Sequence, residues 1–274
     1  MIENKYPLVL VSGLAANEHI FQRQIGAFRE VIPVAWDEAS PADTLEEYAD
    51  KLAASIADRV GNRPCYVAGL SLGGMLAPMI AQHFETKACI LIATIRKPSE
   101  FPKRFRAFYF FCRNMPRLIA GGYFIVKHVT RCLMPLVRRF CSPERIIILQ
   151  QHCDSKSRLF AQHLRMLFTW AFDTKSWRQD FTLDPSERYP FPLYQIHGKR
   201  DRVLVCSSTK PDTVIDGGHV LPLYKPDEVN RYIESVMTET EKAEQVPEAG
   251  IRDQGSETGD QIAKCGELSS AHGS

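Results

Sequence analysis

A three-layer α/β fold follows from three features of the sequence: a mostly parallel sheet between layers of helices, with a helical cap insertion. Short, continuous, β-branched runs alternate with segments of helical periodicity near both ends of the chain. Those runs hold few polar residues, as strands buried on both faces do. Between them, from 96 to 189, the pattern is helical, rich in aromatics and Arg, and lacks a convincing strand.

Pro7-Leu8-Val9-Leu10-Val11 reads as the first buried strand and is followed by Ser12-Gly13. Ile20, Gln24 and Phe28 then recur at helical spacing. Val31 to Ala35 is a second strand candidate, and Pro33 favours a strand end or a position nearer the sheet edge. Asp43 or Thr44 caps a helix that carries Leu45, Tyr48, Leu52 and Ile56 on one stripe and stops near Gly61. Cys65 to Leu70 is a third strand, which breaks at Ser71 into a helix starting at Leu72, and Ala88 to Ala93 is a fourth. The rhythm resumes with strands at Pro192–His197 and Asp212–Ile215 and a helix from Pro226 to about Thr238. The expected organisation is a core of residues 1–95 and 190–238, a cap or lid of residues 96–189, and an acidic tail of residues 239–274. That tail is poor in apolar residues and reads as disordered.

The apolar content of 45% and charged content of 24% are those of a soluble globular protein. A formal charge of +2 gives no reason to expect a nucleic-acid partner. No signal peptide and no membrane-length apolar run is visible, and the eight cysteines lack CxxC or zinc-like spacing. The expectation is a soluble, cytoplasmic protein with free thiols.

Gly69-Leu70-Ser71-Leu72-Gly73 matches G-x-S-x-G, a pattern that roughly one chain in ten of this length would contain by chance. Its context gives it weight, because it falls where a buried strand turns directly into a helix. Such a turn presents the serine hydroxyl at the carboxyl end of the sheet, and Gly69 and Gly73 remove side chains that would clash there. A serine hydroxyl needs a base, and His219 follows the last strand in Asp216-Gly217-Gly218-His219. The base needs an acid, and Asp201 lies in the loop after the strand that ends at His197. His197 itself reads as a packed or turn residue, and His128, His152 and His163 as structural or exposed. Backbone N–H groups of Leu72, after the serine, and Leu14, after the first strand, are candidates to hold an oxyanion.

On these motifs, Gly69-Leu70-Ser71-Leu72-Gly73-Gly74, His197-Gly198-Lys199-Arg200-Asp201 and Gly217-Gly218-His219, the chain resembles the α/β-hydrolase superfamily, in its small lipase and esterase-like group. The similarity covers 7–93 and 193–236, and the order Ser71, Asp201, His219 is that of the family. Ser12-Gly13 replaces the common His-Gly of the oxyanion loop, and the stretch from Asp201 to His219 is short and interrupted by Pro211. The resemblance implies a serine hydrolase that cleaves a carboxylic ester through an acyl-serine intermediate, with no metal or organic cofactor. A thioesterase, amidase or acyltransferase would use the same groups. A non-catalytic ligand-binding protein on this scaffold is the alternative from another class. A nucleophilic aspartate is excluded by Ser71.

Phe101, Phe105, Phe108 to Phe111, Tyr123 and Phe124 could line an acyl pocket over Ser71 or form the core of the insertion. The same segment is basic, with Arg104, Arg106, Arg113, Arg117, Lys127, Arg131, Arg138 and Arg139. A solvated surface, weak contact with an anionic membrane or steering of an anionic substrate, and contact with the acidic tail are the readings of that charge.

Overall fold

The six strands are Leu8–Val11 (β1), Val31–Val34 (β2), Cys65–Leu70 (β3), Thr86–Ile92 (β4), Leu193–Gly198 (β5) and Thr213–Ile215 (β6). In the computed structural model, which describes residues 1–172 and 188–245, they pair in parallel in the order β2-β1-β3-β4-β5-β6. The helices are Gln22–Ala27 (α1), Leu45–Val60 (α2), Leu72–Ala81 (α3), Arg106–Asn114 (α4), Pro116–Phe140 (α5), Pro143–Asp154 (α6), Ser157–Phe172 (α7), Leu221–Tyr224 (α8) and Pro226–Gln245 (α9).

Alternation along the strands builds two cores. Val9, Val11, Val67 and Leu91 join α2 and α3 on one face, whereas Leu8, Leu10, Ala68 and Ile90 join α8 and α9 on the other. Both faces are therefore covered, which is why the strands read as unbroken apolar runs. β2 is an edge strand with Pro33 inside it, so of the two placements that Pro33 favours the structure takes the edge. Thr44, not Asp43, caps α2: its hydroxyl accepts from the Glu47 N–H and the Glu47 carboxylate accepts from the Thr44 N–H. Asp43 instead receives the Lys51 ammonium and the Ser40 N–H.

Among the described residues, the chain between β4 and β5 holds four α-helices and no strand. Phe101, Leu164, Leu167, Phe168 and Trp170 extend the first core into this insertion. One expectation needs correction. Residues 239–245 are not tail but the last two turns of α9. The acids there find partners at the amino ends of the strands: Glu239 accepts from the Tyr194 hydroxyl, Glu241 from the Tyr66 hydroxyl, and Glu244 from Lys87 and Lys5. Composition alone misjudged them because those partners lie more than 40 residues away in sequence. The rest of the expected tail, 246–274, lies outside the described residues.

Thr44→Ala removes one half of the reciprocal cap and is expected to lower the unfolding free energy by about 1 kcal/mol in urea titrations.

Candidate active site

The site is built at the carboxyl ends of β1, β3 and β5. β1 and β3 flank the point where the strand order reverses, the usual binding crevice of an open parallel sheet. Ser71 forms the turn from β3 into α3 with φ 55° and ψ −118°, a backbone strained by roughly 1–3 kcal/mol. Its N–H bonds Ile92 O of β4, and its carbonyl accepts from the buried Thr94 hydroxyl. The turn closes only because two side chains are missing. A Cβ on Gly69 would stand 2.2 Å from the Gly73 carbonyl oxygen, and one on Gly73 would stand 2.2 Å from Ser12 O. Ala15 and Ala93 are the other non-glycine residues of the described chain with positive φ, so backbone strain gathers at the ends of β1, β3 and β4.

The structure brings Ser71, His219 and Asp201 into one hydrogen-bonded chain. Ser71 Oγ lies 2.9 Å from His219 Nε2, and His219 Nδ1 lies 2.7 Å from Asp201 Oδ2. Facing a carboxylate, Nδ1 carries the proton, which leaves Nε2 to accept from the serine hydroxyl. Two backbone contacts clasp the loops that carry the acid and the base. Arg200 N–H donates to Gly217 O, and Gly198 approaches Gly218 so closely that a Cβ would stand 2.3 Å from its carbonyl oxygen.

Asp201 is fully buried, accepts three hydrogen bonds and has the His197 ring nitrogen close by. Oδ1 takes the N–H groups of Val203 and Leu204, and Oδ2 takes His219, with His197 Nε2 at 3.3 Å. Burial by itself raises the carboxyl. The contacts from His197 and His219, with the Val203 N–H, outweigh it and hold the group well below the usual carboxylate range. His197 has zero side-chain exposure and also faces Leu204 O at 2.8 Å, so both neighbours of Nε2 are acceptors and that nitrogen carries the proton. Sequence reasoning left His197 as a packed residue. Its one signal was its position four residues before the acid, on the strand that delivers the loop.

Leu14 and Leu72 line the same cavity as Ser71, and neither N–H has an acceptor among the described residues. Gly13 holds the β1 loop against the turn, its Cβ position 3.4 Å from Ser71 Cβ. Ser12 Oγ and Trp36 Nε1 both donate to Ala16 O, which ties that loop down where a histidine is common. Trp36 went unnoticed in the sequence because nothing local links it to Ala16.

His163 lies apart from this chain, bonded to the Tyr48 hydroxyl, and burial pushes its pKa down to about 4. His128 faces Phe124 O, and His152 packs edge-on to Tyr123. Neither is bonded to Ser71.

Above Ser71 opens a cavity of about 470 Å³. Its walls come from the core (Leu14, Leu72, Met75), the insertion (Phe101, Phe105, Phe108, Leu118, Ile119, Tyr123, Phe160, Phe168) and the β5 loop (Val203, Leu204). Ser71 and Tyr123 supply the hydroxyls of this lining, and the Tyr123 hydroxyl is engaged by Ser155 and His152 O. Some of the insertion's aromatics thus both line the cavity and pack as core. Phe110, Phe111 and Phe124 do neither and are exposed.

This fold and this constellation define an α/β enzyme scaffold with a serine at its strand–helix turn. The chain belongs to the alpha/beta hydrolase family, whose model matches residues 8–232. MenH from S. aureus is similar at 17% identity and a TM-score of 0.63, over 88% of this chain and 96% of that one. A carboxylesterase of the ammonia-oxidizing thaumarchaeon Nitrososphaera gargenis is similar at 17% identity and a TM-score of 0.61, over 87% of this chain and 92% of that one. The epoxide hydrolase CorEH is similar at 16% identity and a TM-score of 0.61, over 86% of this chain and 93% of that one. No curated protein matches in sequence. These likenesses establish the fold, and the chemistry rests on the site.

Because the folded carboxyl of Asp201 lies below its unfolded value of about 3.9, its contribution to stability is complete well above that pH. It is lost as pH falls through the folded range. Asp201→Asn is expected to lose about 1–3 kcal/mol of unfolding free energy at neutral pH. The gap to wild type should narrow below about pH 4. A gap that stays constant into acid would contradict this account of the carboxylate.

Proposed function

We propose that the protein hydrolyses carboxylic esters of apolar acids through an acyl-serine intermediate, with α4, α5 and α7 as the cap over the site. The observation that carries this reading is the Ser71–His219–Asp201 hydrogen-bonded chain opening onto an apolar cavity.

Ser71 Oγ attacks the ester carbonyl carbon while its proton passes to His219 Nε2. Asp201 stays ionised and steadies the imidazolium that forms. The carbonyl oxygen becomes an oxyanion facing the Leu72 and Leu14 N–H groups at the positive end of α3. The C–O bond to the alcohol then breaks, and His219 returns the proton to the leaving oxygen. Water repeats the sequence on the acyl-enzyme: its oxygen attacks, its proton goes to His219, and the acid departs as Ser71 regains its hydrogen. The acyl chain fits the cavity, whose walls gain by dehydration and give few polar contacts to select a head group.

A fluorophosphonate probe should label wild type and not Ser71→Ala, and p-nitrophenyl ester turnover should fall roughly 10⁴-fold or more in Ser71→Ala and His219→Ala. A folded wild type that neither labels nor turns over would overturn the reading in favour of ligand binding. Across acetyl, butyryl and octanoyl esters, kcat/KM should rise about fourfold per methylene until the cavity fills.

His197→Ala should lower kcat on the order of tenfold with KM held, since it leaves Asp201 one donor short. His197→Gln, which can still donate, should restore most of the loss. A KM effect alone would make His197 merely a packing residue.

A further inference from the structure

Helix α5 runs for 25 residues yet buries only Tyr123 and Met134. On another side of it, Leu118, Ile125, Val129, Leu133, Leu136 and Phe140 recur at helical spacing, all exposed and Phe140 by 76%. Helix α4, packed against it, adds exposed Phe108, Phe110 and Phe111. Soluble monomers seldom leave so many large apolar side chains on one structural unit in water without a use for them.

Charge says what covers this face. Residues 101–143 hold nine Lys and Arg and no Asp or Glu, whereas the remaining chain sets 25 cations against all 32 acids. Arg106, Arg117, Arg138 and Arg139 are exposed and have no hydrogen-bond or ion-pair partner among the described residues. A second copy would oppose two such segments with no acid to pair them. The side chains between the cations are Ile, Val, Leu and Phe, which suit acyl chains. No helix of the described residues is long and apolar enough to cross a membrane, so α5 would lie on one.

We propose that the α4–α5 face docks on an anionic phospholipid bilayer, with the apolar row among the acyl chains and the arginines at the phosphates. Phe108 and Leu118 join this face to the site: both line the Ser71 cavity, and they are 42% and 62% exposed. Docking therefore turns the cavity mouth toward lipid. Passage of a lipid ester from the bilayer to Ser71 rests on the ester-hydrolase reading, whereas docking itself does not.

The test is cosedimentation of the full-length protein with vesicles of phosphatidylcholine alone or mixed with phosphatidylglycerol, at low and high salt. Binding should be about tenfold or more stronger on the mixed vesicles and should weaken in high salt. Arg117→Glu with Arg139→Glu, the pair that flanks the apolar row, should cut binding to the mixed vesicles on the order of tenfold. Ile125→Asp with Val129→Asp should abolish binding, and an unchanged thermal midpoint in each pair would show that the fold is intact. A wild type that ignores both vesicle types at low salt overturns the proposal. If that protein is a dimer by light scattering and Ile125→Asp with Val129→Asp makes it a monomer, the face belongs to a second copy. If it is a monomer with hydrogen-exchange protection along α5, a segment of its own chain covers the face. Cosedimentation is read without turnover, so a probe that fails to label Ser71 would count against the esterase reading alone.

Discussion

The rest of the site depends on a contact between the first turn of α3 and the end of β1, where Gly73 meets the Val11 and Ser12 carbonyls with no side chain between them. That approach sets the positive end of α3 beside the β1 loop, so Leu72 and Leu14 line one cavity. It also forces Ser71 into a strained conformation, which persists because neighbouring strands over-determine it. The Ile92 carbonyl holds the Ser71 N–H, and the Thr94 hydroxyl holds its carbonyl. Strain spent on the backbone is what leaves the hydroxyl clear of the helix and within reach of His219.

Burial divides the work along the hydrogen-bonded chain. Asp201 is enclosed, and an enclosed charge must be matched by donors or lose its ionisation. The fold provides three hydrogen bonds, two from the turn that follows the residue and one from His219, and it sets His197 Nε2 3.3 Å from the same oxygen. Because His197 shares the carboxylate with His219, the acid is anchored from the strand side as well as from the loop. His219, by contrast, keeps part of its ring exposed while it bonds Ser71, which lines the cavity. One member of the chain is fixed by burial and the other is left free to meet a substrate.

The insertion faces two ways. Its inward aromatics, among them Phe101, Phe105 and Phe168, pack on one another and on the core while forming the roof of the cavity. Its outward row along α5 stays exposed to solvent. The sequence offered core and pocket as competing uses for the aromatics; Phe101 and Phe168 serve as both, whereas Phe110, Phe111 and Phe124 are exposed. Residues three or four apart on α5 share a face, so a one-residue offset separates exposed Phe124 from buried Tyr123.

Much of this molecule is written locally. Unbroken apolar runs point to strands covered on both faces, Asp43-Thr44 marks the start of α2 to within a residue, and Pro33 narrows β2 to a strand end or an edge position. The glycines around Ser71 and the chain order of serine, acid and histidine placed the candidate site, because tight turns and strand ends are properties of short segments. What lay out of reach joins residues distant in the chain. His197 beside Asp201, Trp36 on Ala16, the glutamates of α9 against Tyr66 and Lys87, and the cavity itself arise only when separate elements pack. Hydrogen bonds and enclosed volume depend on positions in space, and a sequence pattern specifies those only within the few residues that one turn or one helix face spans.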